Sequence, residues 1–131
     1  MVANPKGEVL IVRSSKWSNK YTVPGGHIKL GERAEDAIKR EVKEETGLDV
    51  YSVELLLVQQ AIYPARYYKH EHFVFLDYLC KSLDSKVKLD GRELQEYVWI
   101  KPDEALRLDL EDYTRNFVLK YLEELKQKAS T

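Results

Sequence analysis

Residues 32–46 of this chain, closed by Gly47, read as one amphipathic helix that carries carboxylates on the same side as its apolar residues. At about 100° per residue, Ala34, Ala37, Ile38 and Val42 form one stripe, and Glu41, Glu44 and Glu45 fall within or beside it. Glu35, Asp36, Lys39, Arg40 and Lys43 fall on the other side, where Glu35/Lys39 and Asp36/Arg40 have the supporting i,i+4 spacing of a solvated face. The three inward glutamates need another explanation. A carboxylate turned toward a core is costly unless a cation or donors compensate it, and like charges one turn apart repel.

A bound divalent cation resolves both problems. Oxygen donors with no clustered Cys or His select a hard ion, Mg²⁺ first and Mn²⁺ second, and Mg²⁺ prefers to share its shell with phosphate oxygens. The expected substrate therefore carries a phosphate or diphosphate. Gly25 and Gly26, just upstream, let the backbone turn tightly and approach a ligand, although a glycine pair also serves in a plain turn.

The 131 residues, 44% of them hydrophobic, suit one globular domain over 1–131 with a single core. One cysteine, Cys80, fits a reducing compartment and alternates with apolar neighbours as a core thiol does. There is no signal-like leader and no apolar run of membrane-spanning length, so a cytoplasmic protein with no membrane partner is expected. A net charge of −1 and scattered lysines give no basic stripe, which argues against a polymeric nucleic acid but not against a nucleotide. The chain is compatible with a monomer or a homodimer.

Along the chain, "NPKG" is a turn before the strand "EVLIVR", and a second short strand ends at Pro24. Residues 50–63 read as a long, bent or bulged strand, "EHFVFLDYLCK" and "LQEYVWI" as two more, and Pro102 as the first residue of a short helix. The last helix starts near Asp112 and is expected to bury Tyr113, Phe117, Val118, Tyr121, Leu122 and Leu125. Little precedes "NPKG", so either a first strand is short or that edge of the sheet is closed differently. The sum is an α/β chain with a mixed sheet covered by helices.

Gly26, Glu32 and "REVKEETGL" (Arg40 to Leu48) resemble the complete signature of the Nudix hydrolases: all nine specified positions, Gly26, Glu32, Arg40, Glu41, Val42, Glu44, Glu45, Gly47 and Leu48, match over 23 residues. The resemblance implies an α/β/α sandwich and Mg²⁺-dependent hydrolysis of a diphosphate linkage in a nucleoside diphosphate derivative. It implies Glu41, Glu44 and Glu45 as metal ligands, Glu32 as a further ligand or helper, and Arg40 as the partner that orients a glutamate of the box. A nucleotide sensor that binds without cleaving is the alternative, and an intact set of glutamates speaks against it.

For the general base the candidates are Glu44 or Glu45, or a downstream carboxylate, Glu93 or Glu96. Substrate contacts are expected from Gly25, Gly26, Arg13, Arg66 and Tyr68, with Tyr63, Tyr67 and Tyr68 able to stack on a base. Pro64, fifteen residues beyond Leu48, resembles the proline of ADP-ribose pyrophosphatases, while the short chain is more like the nucleoside triphosphate pyrophosphatases. His70 and His72 share a strand face without an evident third ligand, and Trp99 reads as core.

Overall fold

The computed structural model describes residues 1–130. Six strands and three α-helices follow in the order β1 (Val2–Ala3), β2 (Val9–Ser14), β3 (Lys20–Thr22), α1 (Ala34–Thr46), β4 (Tyr51–Ile62), β5 (His72–Lys81), β6 (Leu94–Ile100), α2 (Pro102–Ala105) and α3 (Asp112–Ala129), with a 3₁₀ turn at Ser15–Trp17. Period-two alternation along the central strands divides the core. Val9 and Ile11 of β2, Ala3 of β1 and Leu79 of β5 pack on one face against Phe117, Val118 and Tyr121 of α3. Leu10 and Val12, Val2 and Cys80 pack on the other face, against Val42 of α1 and Leu48. The result is the expected α/β single domain, with helices on both faces of a mixed sheet.

The segment before the first turn lies inside the sheet, not at its edge. β1 pairs antiparallel with β2 at Ala3↔Val9 and parallel with β5 at Val2↔Cys80 and Ala3↔Lys81. The other edge of β2 is taken by β6, from Val9↔Ile100 to Ser14↔Leu94. Beyond Val9, β2 pairs instead with β3 at Val12↔Thr22 through Ser14↔Lys20. A two-residue β1 therefore joins the β4–β5 hairpin to the rest of the sheet, and past it β3 and β5 are not hydrogen-bonded to each other. The two halves of the sheet part there, and a cleft opens between them.

β4 is bulged, as its mixed pattern suggests, with register shifts against β5 between Tyr51 and Glu54 and between Leu55 and Leu57. Gly47 ends α1 in the left-handed conformation at φ 76°, its N–H bonded to the Lys43 carbonyl. Pro102 occupies the first turn of α2 with Asp103 and Glu104. In α3, Phe117, Val118 and Tyr121 are buried, Tyr113 and Leu122 are half-buried, and Leu125 is exposed. Cys80 is fully buried. Trp99 is half-buried beside the α1-side core and donates its Nε1–H to the Ser85 carbonyl. Among the described residues, no helix is long and apolar enough to cross a membrane.

Candidate functional site

The cleft between β3 and β5 has a volume of about 740 Å³, within the range of small-molecule sites. One wall is the segment Thr22–Lys29 that leaves β3, with Glu41 and Glu45 of α1 behind it; the other is Phe73–Tyr78 of β5. α3 closes the end through Glu111, Tyr113 and Thr114, and Lys16, Trp17, Tyr67 and Glu93 stand around the opening.

The glutamate helix divides its carboxylates by position. Glu45 is 5% exposed and accepts the Gly25 N–H at 2.8 Å. Burial pushes its carboxyl up to about 8, opposed by that hydrogen bond and reinforced by the charge of Glu41. Glu41 is half-buried against Gly26, where a Cβ would overlap its carboxylate, 2.5 Å from one oxygen and 2.7 Å from the other. Glu44, in contrast, has a side chain 56% exposed. Its place at the margin of the apolar stripe puts it at the boundary with solvent, so the expectation of three inward carboxylates holds for Glu45, in part for Glu41, and not for Glu44.

Arg40 gathers the others. Its Nε and Nη2 donate to the two oxygens of Glu32 at 2.8 and 3.0 Å, its Nη1 to Glu41 at 2.8 Å and Glu44 at 3.2 Å, and its Nη2 also to the His27 carbonyl at 3.0 Å. This planar fork is well suited to three carboxylates and a carbonyl at once. The guanidinium holds the Glu32 carboxyl down at about 2. Arg40 is thus drawn off the solvated face where an Asp36 pairing was expected, because three carboxylates and a carbonyl on the loop side outcompete one.

The donor set fits a hard divalent cation. Glu45 is a buried carboxylate with one N–H donor, beside a second carboxylate one turn away, and every donor is oxygen. Among the described residues, no three His, Cys, Asp or Glu side chains are arranged so as to hold a metal ion; Arg40 holds Glu32, Glu41 and Glu44 instead.

Other residues named from the sequence lie apart. Glu96 faces Arg13 across the β2–β6 ladder, with an ion pair of 3.1 Å, and accepts the Tyr21 hydroxyl at 2.6 Å; neither Glu96 nor Arg13 lines the cleft. Glu93 does line it, paired with Lys16 at 3.1 Å. Arg66 and Tyr68 sit in the loop after β4, where the Arg66 carbonyl accepts from Ser18 and the Tyr68 N–H donates to the Lys16 carbonyl, and neither side chain lines the cleft. Pro64 accepts the Tyr67 N–H in a turn outside the cleft. His70 stacks on Tyr63 at 3.7 Å, and His72 hydrogen-bonds Gln60.

Of the aromatic wall, sequence reasoning named Tyr67 and missed the rest. Phe73 and Phe75 stack at 5.2 Å, Phe75 meets Tyr113 at 5.5 Å, and Trp17 stands 6.0 Å from both phenylalanines and 4.7 Å from Tyr67. The period of two in "HFVFLDY" was the available signal, since it puts Phe73, Phe75 and Asp77 on one face. Sequence reasoning also missed two carboxyls of the cleft: Asp77, half-buried and pushed up by desolvation to about 6, and Glu111, buried and raised for the same reason, which caps α3 by accepting from Tyr113 and Thr114.

A stability prediction follows from Glu45. A carboxyl at about 8 in the folded chain against 4.5 unfolded keeps a proton that the unfolded chain has released, so the stability of the metal-free protein falls as pH rises from about 4.5 to about 8. Asp77 adds to the fall between 3.8 and about 6. Thermal denaturation across this range is expected to show a declining Tm that Glu45→Gln flattens above pH 6. An equal slope in wild type and variant would contradict the assignment.

Comparison with known proteins agrees with the site. The family model described as NUDIX domain matches residues 1–121. The nucleoside triphosphatase NudI of Escherichia coli (strain K12) is 28% identical over 102 residues, covering 73% of this chain and 72% of that protein. The solved structure of a MutT protein from Methanosarcina mazei Go1 superposes with a TM-score of 0.75 at 25% identity, covering 96% of this chain and 91% of that one. The NUDIX domain of Shewanella oneidensis NrtR, solved in complex with ADP ribose, gives 0.75 at 18% identity over 95% of this chain and 86% of that one. With the signature helix, the sheet and the cleft all in their places, the chain belongs to the NUDIX family, as a hydrolase of phosphoric anhydride bonds.

Proposed function

We propose that this chain is a Mg²⁺-dependent pyrophosphohydrolase of nucleoside triphosphates, with Mn²⁺ as a substitute, releasing a nucleoside monophosphate and pyrophosphate. The observation that carries the proposal is that one cleft is lined both by Gly25, Gly26, Glu41 and Glu45 and by Trp17, Phe73, Phe75 and Tyr113. Carboxylates for a cation and flat apolar rings for a base match the two ends of a nucleotide. Among the substrates the signature allows, the triphosphate is favoured by the names of the similar curated proteins and by Pro64 lying outside the cleft.

Glu41, Glu44 and Glu45 would hold the cation, with Glu32 as helper. When bound, it supplies charge neutralisation for the diphosphate and lowers the pKa of water. The residues of the chain do the rest. Gly26 keeps the wall thin beside Glu41, and the Gly25 N–H fixes the Glu45 rotamer. Arg40 keeps Glu32 ionised and holds Glu32, Glu41 and Glu44 in place. Water attacks one phosphorus of the diphosphate, the bridging oxygen leaves, and the proton released by the water passes to a cleft carboxylate. Glu93, a cleft carboxylate outside the proposed cation set, is placed for that task, with Glu45 serving as a cation ligand. Glu96 is occupied by Arg13 and Tyr21.

Chromatography of products from a panel of nucleoside triphosphates, ADP-ribose and dinucleoside polyphosphates, with Mg²⁺, tests the proposal. Monophosphate plus pyrophosphate from triphosphates is expected. Cleavage of ADP-ribose alone would move the chain to the other substrate branch, and nucleotide binding without any cleavage would favour a sensor.

A further inference from the structure

The closed end of the cleft has two carboxyls, and the hydrogen bonds around them are unequal. Glu111 is fully engaged: Oε1 accepts from the Thr114 N–H and hydroxyl, and Oε2 from the Tyr113 N–H at 3.0 Å. Because the Thr114 hydroxyl gives its proton to Glu111, the Thr22 hydroxyl is the donor in the 2.9 Å Thr22–Thr114 contact, so that chain is closed as well. Asp77 differs. Its Oδ2 accepts from Gln59 Nε2 at 2.7 Å, while its Oδ1 accepts no hydrogen bond among the described residues and is not sealed from the cleft.

The amide that holds Asp77 is itself fixed. Gln59 Nε2 donates to the Tyr113 carbonyl at 2.8 Å as well as to Asp77, and Gln59 Oε1 accepts from Asn116 Nδ2 at 3.0 Å. Three elements, β4, β5 and α3, thus orient one carboxylate with a free acceptor. It continues the β5 face that carries Phe73 and Phe75, with Tyr113 and Trp17 against the same rings. Asp77 is half-buried, the Met1 ammonium acts on it only through its charge, and an acceptor held open toward an apolar-walled cleft favours a ligand that donates to it, the flat rings beside it favouring a flat donor.

We propose that Asp77 reads the base: a nucleobase lies against Phe73, Phe75, Trp17 and Tyr113 and donates from its exocyclic amino group, with an adjacent ring N–H where it has one, to the Asp77 carboxylate. Amino-bearing bases are then preferred to matched bases in which the amino group is absent or replaced by a carbonyl. Guanine, with two adjacent donors, fits the carboxylate best. A carbonyl oxygen placed there instead faces the carboxylate with no proton between them. The inference rests on the nucleotide reading of the cleft, but not on the reaction.

Calorimetric binding of nucleoside monophosphates separates the two. GMP is paired with IMP, which lacks only the amino group, and CMP with UMP, for the wild type, Asp77→Asn and Phe75→Leu. The wild type is expected to favour GMP over IMP and CMP over UMP by about 10- to 100-fold, the usual worth of a well-placed base contact. Asp77→Asn is expected to bring both ratios to within about threefold of unity, whereas Phe75→Leu weakens all four about tenfold or more and keeps the ratios. If Asp77→Asn does not fold, Gln59→Leu, which frees the carboxylate to turn, is expected to reduce the ratios. Ratios near unity in the wild type, or ratios unchanged in the Asp77 and Gln59 variants, overturn the inference. Base-selective binding with no hydrolysis overturns the proposed reaction and leaves the Asp77 role standing; failure of all four nucleotides to bind overturns both.

Discussion

Glu45→Gln is expected to lower turnover by about 10²–10⁴-fold, the equivalent of several kcal/mol of charge stabilisation by a well-held cation, while the protein stays folded. Gln keeps the shape and an oxygen for the Gly25 N–H, so the contact that orients the side chain survives. What disappears is the negative charge, which its burial at 5% exposure sets apart from that of an ordinary surface glutamate. The same substitution at Glu123, exposed near the end of α3, is expected to change activity little, which controls for a general effect of charge. The check is kcat and KM for both variants beside a thermal denaturation curve. A Glu45→Gln enzyme with turnover within a few-fold of wild type would remove Glu45 from the mechanism.

Gly26→Ala is expected to cost about 10²-fold in kcat/KM, the scale of an ångström-sized misplacement of a reacting group, with a small change in Tm. The Cβ would overlap only the far end of the Glu41 side chain, not backbone, so the fold can adapt by swinging that carboxylate away. Swinging it also strains its 2.8 Å bond to Arg40, which is shared with Glu32 and Glu44. Activity and stability should therefore separate at this position. An equal loss of both, or of neither, would show that the contact between Gly26 and Glu41 is not what the glycine provides.

Much of the fold was legible because its signals are local. The apolar run in "EVLIVR", the apolar stripe of α1 and the left-handed Gly47 each specify an element without knowledge of its partner. The glutamate helix was legible for the same reason: its spacing alone brings Glu41 and Glu45 to one side. What the sequence concealed depends on contacts between distant segments. The interior position of β1 comes from its pairing with Lys81 and Cys80, 78 positions along the chain. The aromatic wall draws Trp17, Tyr67, Phe73, Phe75 and Tyr113 from four separate segments. Glu93 lining the cleft while Glu96 faces Arg13 reflects strand register and local direction, which a cluster of downstream acids does not display. Arg40 turns toward Glu32 because the loop before α1 folds back over it, a path that helix periodicity does not contain.

The central claim is that this glutamate helix works by holding a divalent cation against a nucleotide diphosphate. The most direct test is the initial rate of pyrophosphate release from a nucleoside triphosphate by metal-stripped protein, measured against Mg²⁺ concentration for the wild type and Glu45→Gln. The account predicts no release without the cation, a saturating rise with it in the wild type, and a nearly flat response in the variant. Release that persists in excess chelator, or an unchanged Mg²⁺ response in Glu45→Gln, would contradict it.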